Sequence, residues 1–215
     1  DEWHQGVRIL LTDSEENALD GMKCAAKYNP ELFENVGYVV NLESRGMNGP
    51  VLLFETSANN EKVLDLYSEA KAPYGYSLTT VVYRFLPNNT DFTIVKDSIP
   101  GINFSTIDNI NYYHVDDDNF ENINLATIQH YGAQIEPILE EFLTSGEYRD
   151  SDALKGDEDL VFFTVPILGI FSFTKPQFTL FCSVVFALFC LALVLNISAR
   201  NATVKGVLKK ALVIF

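Results

Sequence analysis

Cysteine is scarce, with only Cys24, Cys182 and Cys190 in a chain of 215 residues. Their spacing matches no zinc knuckle, and three residues give no even disulfide framework of a small secreted fold. All three read as small buried apolar residues. Basic residues are also few: 15 Lys and Arg against 29 Asp and Glu give a net charge of −14. That balance argues against nucleic acid as a partner, because nucleic-acid binding needs a basic footprint. The chain has no Gly-rich phosphate loop and no Ser nucleophile elbow. Residues 1–6 carry no basic n-region and no apolar h-region, so they do not read as a signal peptide. They read as the interior of a domain, just before a core strand.

Hydrophobic periodicity predicts alternating strands and helices. Strands are expected at 7–12, 36–42, 51–55, 77–83 and 102–107, and helices at 17–27, 60–70 and 125–143. Asn29-Pro30, Gly46 with Asn48-Gly49-Pro50, and Pro100-Gly101 punctuate them. In the last helix Ile128, Ile135, Ile138, Leu139 and Phe142 are expected to face a core. Alternation of this kind implies an α/β fold with a partial mixed or parallel sheet flanked by helices. Residues 1–145 form this domain in our reading, and 146–177 a charged linker and an apolar juxtamembrane stretch.

Phe178 to Ile197 carries no charge and is long enough to cross a bilayer as a transmembrane helix. Arg200, Lys205, Lys209 and Lys210 follow it, whereas Lys175 is the only nearby base before it. The positive-inside rule then puts the C-terminal side, 198–215, in the cytoplasm and the acidic domain on the extracytoplasmic or lumenal side. Residues 206–215 resemble the start of a further span, so the chain reads as single- or multi-pass.

Four residues at strand ends or in adjoining loops could share one site: Glu15, Glu16, Glu43 and His114. Carboxylates with an imidazole suit zinc, or manganese or cobalt. The bland alternative for Glu15 and Glu16 is an acidic first helical turn. His130 reads as structural or surface. Asp116-Asp117-Asp118 lacks EF-hand spacing and reads as a solvated loop. Asn88, Asn103 and Asn201 begin glycosylation sequons.

Several segments carry a family resemblance. Thr12-Asp13-Ser14-Glu15-Glu16-Asn17-Ala18-Leu19-Asp20-Gly21 resembles the Asp-Gly-Glu-Glu-x-Gly-Leu-x-Gly motif of the dizinc aminopeptidase-like peptidases. Asn41-Leu42-Glu43-Ser44-Arg45-Gly46 resembles their Asn-Leu-Glu-Ala-Arg-Gly segment, and Phe54-Glu55-Thr56-Ser57 continues the match. Pro87-Asn88-Asn89-Thr90-Asp91-Phe92 is similar to Pro-Asn-Asp-Thr-Asp-Phe, with Asn89 in place of Asp. Ile99-Pro100-Gly101-Ile102-Asn103-Phe104 is similar to Ile-Pro-Gly-Leu-Asn-Phe. Tyr113-His114 through Glu121-Asn122 resembles Tyr-His-Thr-x-x-Asp-x-x-Glu-Asn. The pieces run in order from about residue 7 to 143, and the likeness is closest to the membrane-anchored branch of the family.

The resemblance implies a zinc-dependent metallopeptidase, an aminopeptidase acting on peptide substrates with a water activated by two zinc ions. It makes Glu15 the general base, Glu16 and His114 ligands of one zinc, and Glu43 a ligand of the other. Asp118 would orient the loop after the histidine, and Asp91 would stand behind the metal ligands. The family's upstream His and bridging Asp have no counterpart in residues 1–6. The chain is therefore expected to be the C-terminal half of the peptidase domain, inactive alone, with the N-terminal half as its missing partner. The alternative is a non-catalytic, membrane-tethered interaction module on a degenerate peptidase fold. Glutaminyl-cyclase-like acyl transfer would use the same ligands, but the membrane-branch motifs argue against it.

Overall fold

Three strands build the sheet on which everything else is hung. In the computed structural model, which describes residues 2–45, 48–199, 203 and 206, they are β1 (Val39–Ser44), β2 (Asn48–Thr56) and β3 (Gly101–Asp108). The order is β1-β3-β2, with β1 parallel and β2 antiparallel to β3. The result is the mixed α/β architecture expected. Side chains alternate along β3, as a pleated strand requires: Ile102 and Phe104 enter the main core, while Asn103 and Ser105 turn to the other face. The register of β2 shifts between Leu53 and Glu55, which brings Glu55 opposite Asn103. Such a bulge re-aims a side chain at the cost of one ladder position.

Helices α1 (Asp20–Tyr28), α2 (Glu61–Tyr67), α3 (Ser77–Arg84) and α4 (Leu125–Thr144) flank the sheet. Val63, Leu64, Leu66 and Tyr67 of α2 and Ile138 of α4 close the core over Val51, Leu53, Ile102 and Phe104. Gln134 of α4 is wholly buried there, accepting from Tyr67 Oη at 2.5 Å and donating to the Val51 carbonyl at 2.8 Å. Ile128, expected on the core face of α4, is exposed. A second cluster joins Met22 of α1 to Phe92, Val95 and Ile99. Residues read as a linker contribute Tyr148 and Leu154 to the main core. The apolar stretch that follows folds into a hairpin of β4 (Val161–Val165) and β5 (Gly169–Phe173).

Two expected strands are not strands. Residues 7–12 form no ladder, and Ile9 and Leu11 are almost fully exposed. No neighbouring strand pairs with them among the described residues, and Arg8 tethers the segment by donating to the carbonyls of Glu31, Leu32 and Glu34. Residues 77–84, rich in β-branched side chains, form α3. Here tertiary bonds override propensity: Thr80 Oγ1 donates to the Phe54 carbonyl at 2.8 Å, and Ser77 Oγ accepts from Phe162 N–H at 2.7 Å.

The chain divides into two compact units, Asp1–Ser172 and Phe173–Phe215. The second contains α5 (Lys175–Ser198), a 24-residue helix with no buried residue. Thr174 and Gln177 cap its start reciprocally. Thr179, Ser183 and Asn196 donate their side-chain hydrogens to carbonyls four residues back. The helix is long and apolar enough to cross a membrane. At about 1.5 Å per residue it exceeds a hydrocarbon core of about 30 Å. Arg200, Lys205, Lys209 and Lys210, the possible second span at 206–215 and the Asn201 sequon lie outside the described residues, Thr203 and Gly206 excepted.

Candidate active site

A cleft of about 920 Å³ opens beside the carboxyl ends of β1 and β3. The parallel pairing of these strands sends both chains out on one side of the sheet, where ligands of open α/β folds collect. Glu43 comes from the end of β1, and Tyr113 and His114 come from the loop after β3. Glu15 and Glu16 come from the loop before α1. All five side chains line the cleft, together with Arg45 and the apolar Leu78, Val82 and Leu86.

The acidic pair does not belong to a helical first turn, since α1 starts only at Asp20. It sits in a tight loop in which the Ser14 carbonyl accepts from the N–H groups of both Asn17 and Asp20. Ser14, Ala18 and Leu19 have φ of 57°, 61° and 62°. A Cβ on Gly21 would stand 1.9 Å from the Asp13 carbonyl oxygen, so only glycine lets α1 pack on this loop. His114 is a further left-handed residue, with φ of 57°. Non-glycine residues in this region cost energy and cluster at functional sites.

The loops bring His114 and Glu16 together, with Nε2 2.5 Å from Oε1. Glu43 is more enclosed. Burial pushes its carboxyl up to about 7, the hydrogen bond from Asn41 opposes this, and the charges of Glu15, Asp91 and Glu16 add to it. Burial likewise raises Glu15, helped by Glu16 and Asp91 and opposed by His114. Asp91 is buried behind these residues. Its Oδ2 accepts from Thr12 Oγ1, and its Oδ1 has no hydrogen-bond partner among the described residues. Asp118 is exposed and does not line the cleft.

Beneath Glu43 runs a buried polar chain that the motifs contained but that sequence reasoning did not single out. Asn41 Nδ2 donates to Glu43 Oε1 at 2.8 Å and to Asn103 Oδ1 at 2.9 Å. Asn103 Nδ2 donates to Thr90 Oγ1 at 2.8 Å and Glu55 Oε2 at 3.2 Å, and Lys96 Nζ lies 2.6 Å from Glu55 Oε1. The available signal was a polar residue set between apolar neighbours, Asn41 between Val40 and Leu42 and Asn103 between Ile102 and Phe104. Tyr131 Oη donates to the Glu43 carbonyl. His130 is structural, accepting from Val51 N–H at Nδ1 and donating from Nε2 to the Ala72 carbonyl. Asn103 is wholly buried, so its sequon is closed to glycosylation.

In kind, these donors fit a divalent cation. Carboxylates outnumber the one imidazole, a buried carboxylate oxygen stands unpaired, and oxygen and nitrogen donors of this type are those zinc takes. In number they stop short. Among the described residues no three His, Cys, Asp or Glu side chains close into a group that could hold a metal ion.

Comparison with known proteins gives the family. The profile of "Peptidase family M28" matches residues 1–139. Human "Endoplasmic reticulum metallopeptidase 1" is 30% identical over 179 residues, covering 81% of this chain and 19% of that protein. The mouse protein of the same name is 30% identical over 176 residues, or 80% of this chain and 19% of its own length. "Vacuolar membrane protease" of Schizosaccharomyces japonicus is 23% identical over 209 residues, covering 94% of this chain and 23% of that protein. The chain thus spans about a fifth of the length of the curated relatives it matches (19% of the human protein). No solved structure matches it. With that profile running through the cleft residues from Glu15 to His114, the chain belongs to peptidase family M28.

Proposed function

We propose that this chain is the C-terminal part of a membrane-anchored, zinc-dependent aminopeptidase domain acting outside the cytoplasm. The observation that carries the reading is the meeting of Glu15, Glu16, Glu43 and His114 in one cleft from three separate segments. Glu16 and His114 would hold one zinc ion and Glu43 a second, with the remaining ligands supplied by polypeptide upstream of residue 1. When bound, two zinc ions would lower the pKa of a shared water and polarise the scissile carbonyl. Glu15, partly buried and raised above the usual carboxylate range, would take the proton from the attacking water and pass it to the leaving amine. Asp91 would support the ligands from behind. The apolar wall of Leu78, Val82 and Leu86 would exclude water from the substrate side. The charges flanking α5 favour an extracytoplasmic or lumenal domain.

The test is zinc content and peptide hydrolysis in the full-length protein, with Glu15→Gln and His114→Gln. About two zinc ions retained in E15Q with hydrolysis lost, and fewer in H114Q, would support the reading. Absence of zinc from the full-length protein would sink it. The second reading, a tethered interaction module without catalysis, draws on the shortage of metal donors among the described residues, and that outcome would favour it.

A further inference from the structure

Histidines that bind metals usually have their ring orientation set by a hydrogen bond from the second ring nitrogen to a carboxylate or carbonyl. In His114 one ring nitrogen, Nε2, meets the carboxylate of Glu16, itself read as a ligand of the same zinc, and among the described residues no hydrogen bond reaches Nδ1. Instead its ring lies against that of Tyr113, with centroids 3.7 Å apart and planes 24° apart. Successive side chains of an extended chain point to opposite sides, so neighbouring rings stack only where the backbone departs from extension. His114 makes that departure with its left-handed φ of 57°. A conformation of this kind persists only when its surroundings over-determine it.

The Tyr113 ring has a second neighbour, from the residue that follows β1. The Arg45 guanidinium carbon lies 5.4 Å from the Tyr113 ring centroid, within the range of a cation–π contact. Arg45 stands in a cleft lined by Glu15, Glu16 and Glu43, yet it forms no ion pair among the described residues. Its backbone is fixed by an N–H bond to the Thr106 carbonyl at 3.0 Å, two residues beyond Glu43. Its planar cation is therefore spent on the ring of Tyr113 rather than on a carboxylate. A lysine would serve poorly, because its compact, strongly hydrated charge does not stack.

We propose that Arg45 is a positioning residue that fixes the His114 imidazole through the face of Tyr113, tying the two strand ends of the site into one unit. The inference rests on the reading of His114 as a metal ligand for its purpose, though not for its geometry. Glu16 holds the ring at its edge, and the stack adds a tie from the loop after β3 to the residue that follows β1.

The experiment uses the full chain in detergent micelles with labelled histidine. There are three histidines, and H114Q identifies the signals of interest. In the native chain the ring protons of His114 should be displaced upfield by the Tyr113 ring relative to those of exposed His4. Arg45→Met should move them toward the His4 values, Arg45→Lys should move them part of the way, and Tyr113→Phe should leave them in place. Thermal melts run alongside identify any variant that fails to fold, and R45K serves if R45M does so. In the full-length protein R45M should weaken zinc binding by about 10-fold or more, the range seen when support of a ligand is lost. Unchanged His114 signals in folded R45M would overturn the proposal. Displaced signals in a protein that never binds zinc would uphold the stack and sink the metal reading instead.

Discussion

Asn41 and Asn103 clasp each other across the parallel strands β1 and β3, Nδ2 to Oδ1 at 2.9 Å, directly behind Glu43. Each amide also serves a carboxylate, Asn41 that of Glu43 and Asn103 that of Glu55. The pair couples the frame of the sheet to the rim of the cleft.

Replacing Asn103 with Leu should therefore destabilise the protein by about 2–3 kcal/mol, since it leaves buried polar partners unsatisfied. Chemical denaturation would measure it. A loss below about 0.5 kcal/mol, the range of ordinary surface changes, would mean that the chain of amides is not structurally coupled.

Lys96 and Glu55 form a pair in which the Glu55 side chain is 2% exposed and the Lys96 side chain 26% exposed. Lys96→Met alone should cost about 3 kcal/mol, because it strands a buried charge. Adding Glu55→Gln should recover a large part of that loss. A double-mutant cycle by denaturation checks this, and additive losses would contradict it.

Ser14 and Ala18 occupy glycine positions of the Asp-Gly-Glu-Glu-x-Gly motif and keep a glycine-like backbone, with φ of 57° and 61°. Relief of the left-handed strain is worth about 1–2 kcal/mol per residue. The extra freedom that glycine gives the unfolded chain takes back about 0.4–1 kcal/mol. Each of Ser14→Gly and Ala18→Gly should thus raise stability by roughly 0.5–1 kcal/mol. A lowered melting temperature in both variants would show the loop to be unstrained.

Burial raises the Tyr131 and Tyr148 hydroxyls to about 12. A phenol whose folded pKa lies above its unfolded value of about 10 favours the native state while neutral. Its contribution is complete below about pH 10 and is lost as pH rises through about 12. Stability should accordingly fall across that window, and tyrosinate absorbance should lag behind that of free tyrosine until the chain unfolds. Ionisation of all ten tyrosines near pH 10 without unfolding would refute it.

The positions that periodicity could read were those whose neighbours in sequence are also their neighbours in space. Val63, Leu66 and Tyr67 mark α2 by helical spacing, and Ile102 and Phe104 mark β3 by alternation. Residues 77–83 have the β-branched content of a strand, while the bonds that make them helical reach Phe54 and Phe162. Residues 7–12 have the apolar pattern of a strand but no strand beside them among the described residues, and pairing is not written in a single segment.

The same division holds for the site. The sequence by itself determined the family and a helix apolar enough to cross a membrane, and it named Glu15, Glu16, Glu43 and His114 as candidates for one site, because these readings depend on residue type and local order. Only the tertiary structure decided that Glu16 meets His114, that Arg45 lies over Tyr113, and that Asn41, Asn103, Glu55 and Lys96 form one polar chain. Those contacts join segments tens of residues apart. Their geometry follows from strand order, from the bulge that turns Glu55 inward, and from the left-handed residues that turn the loops, none of which a linear pattern encodes.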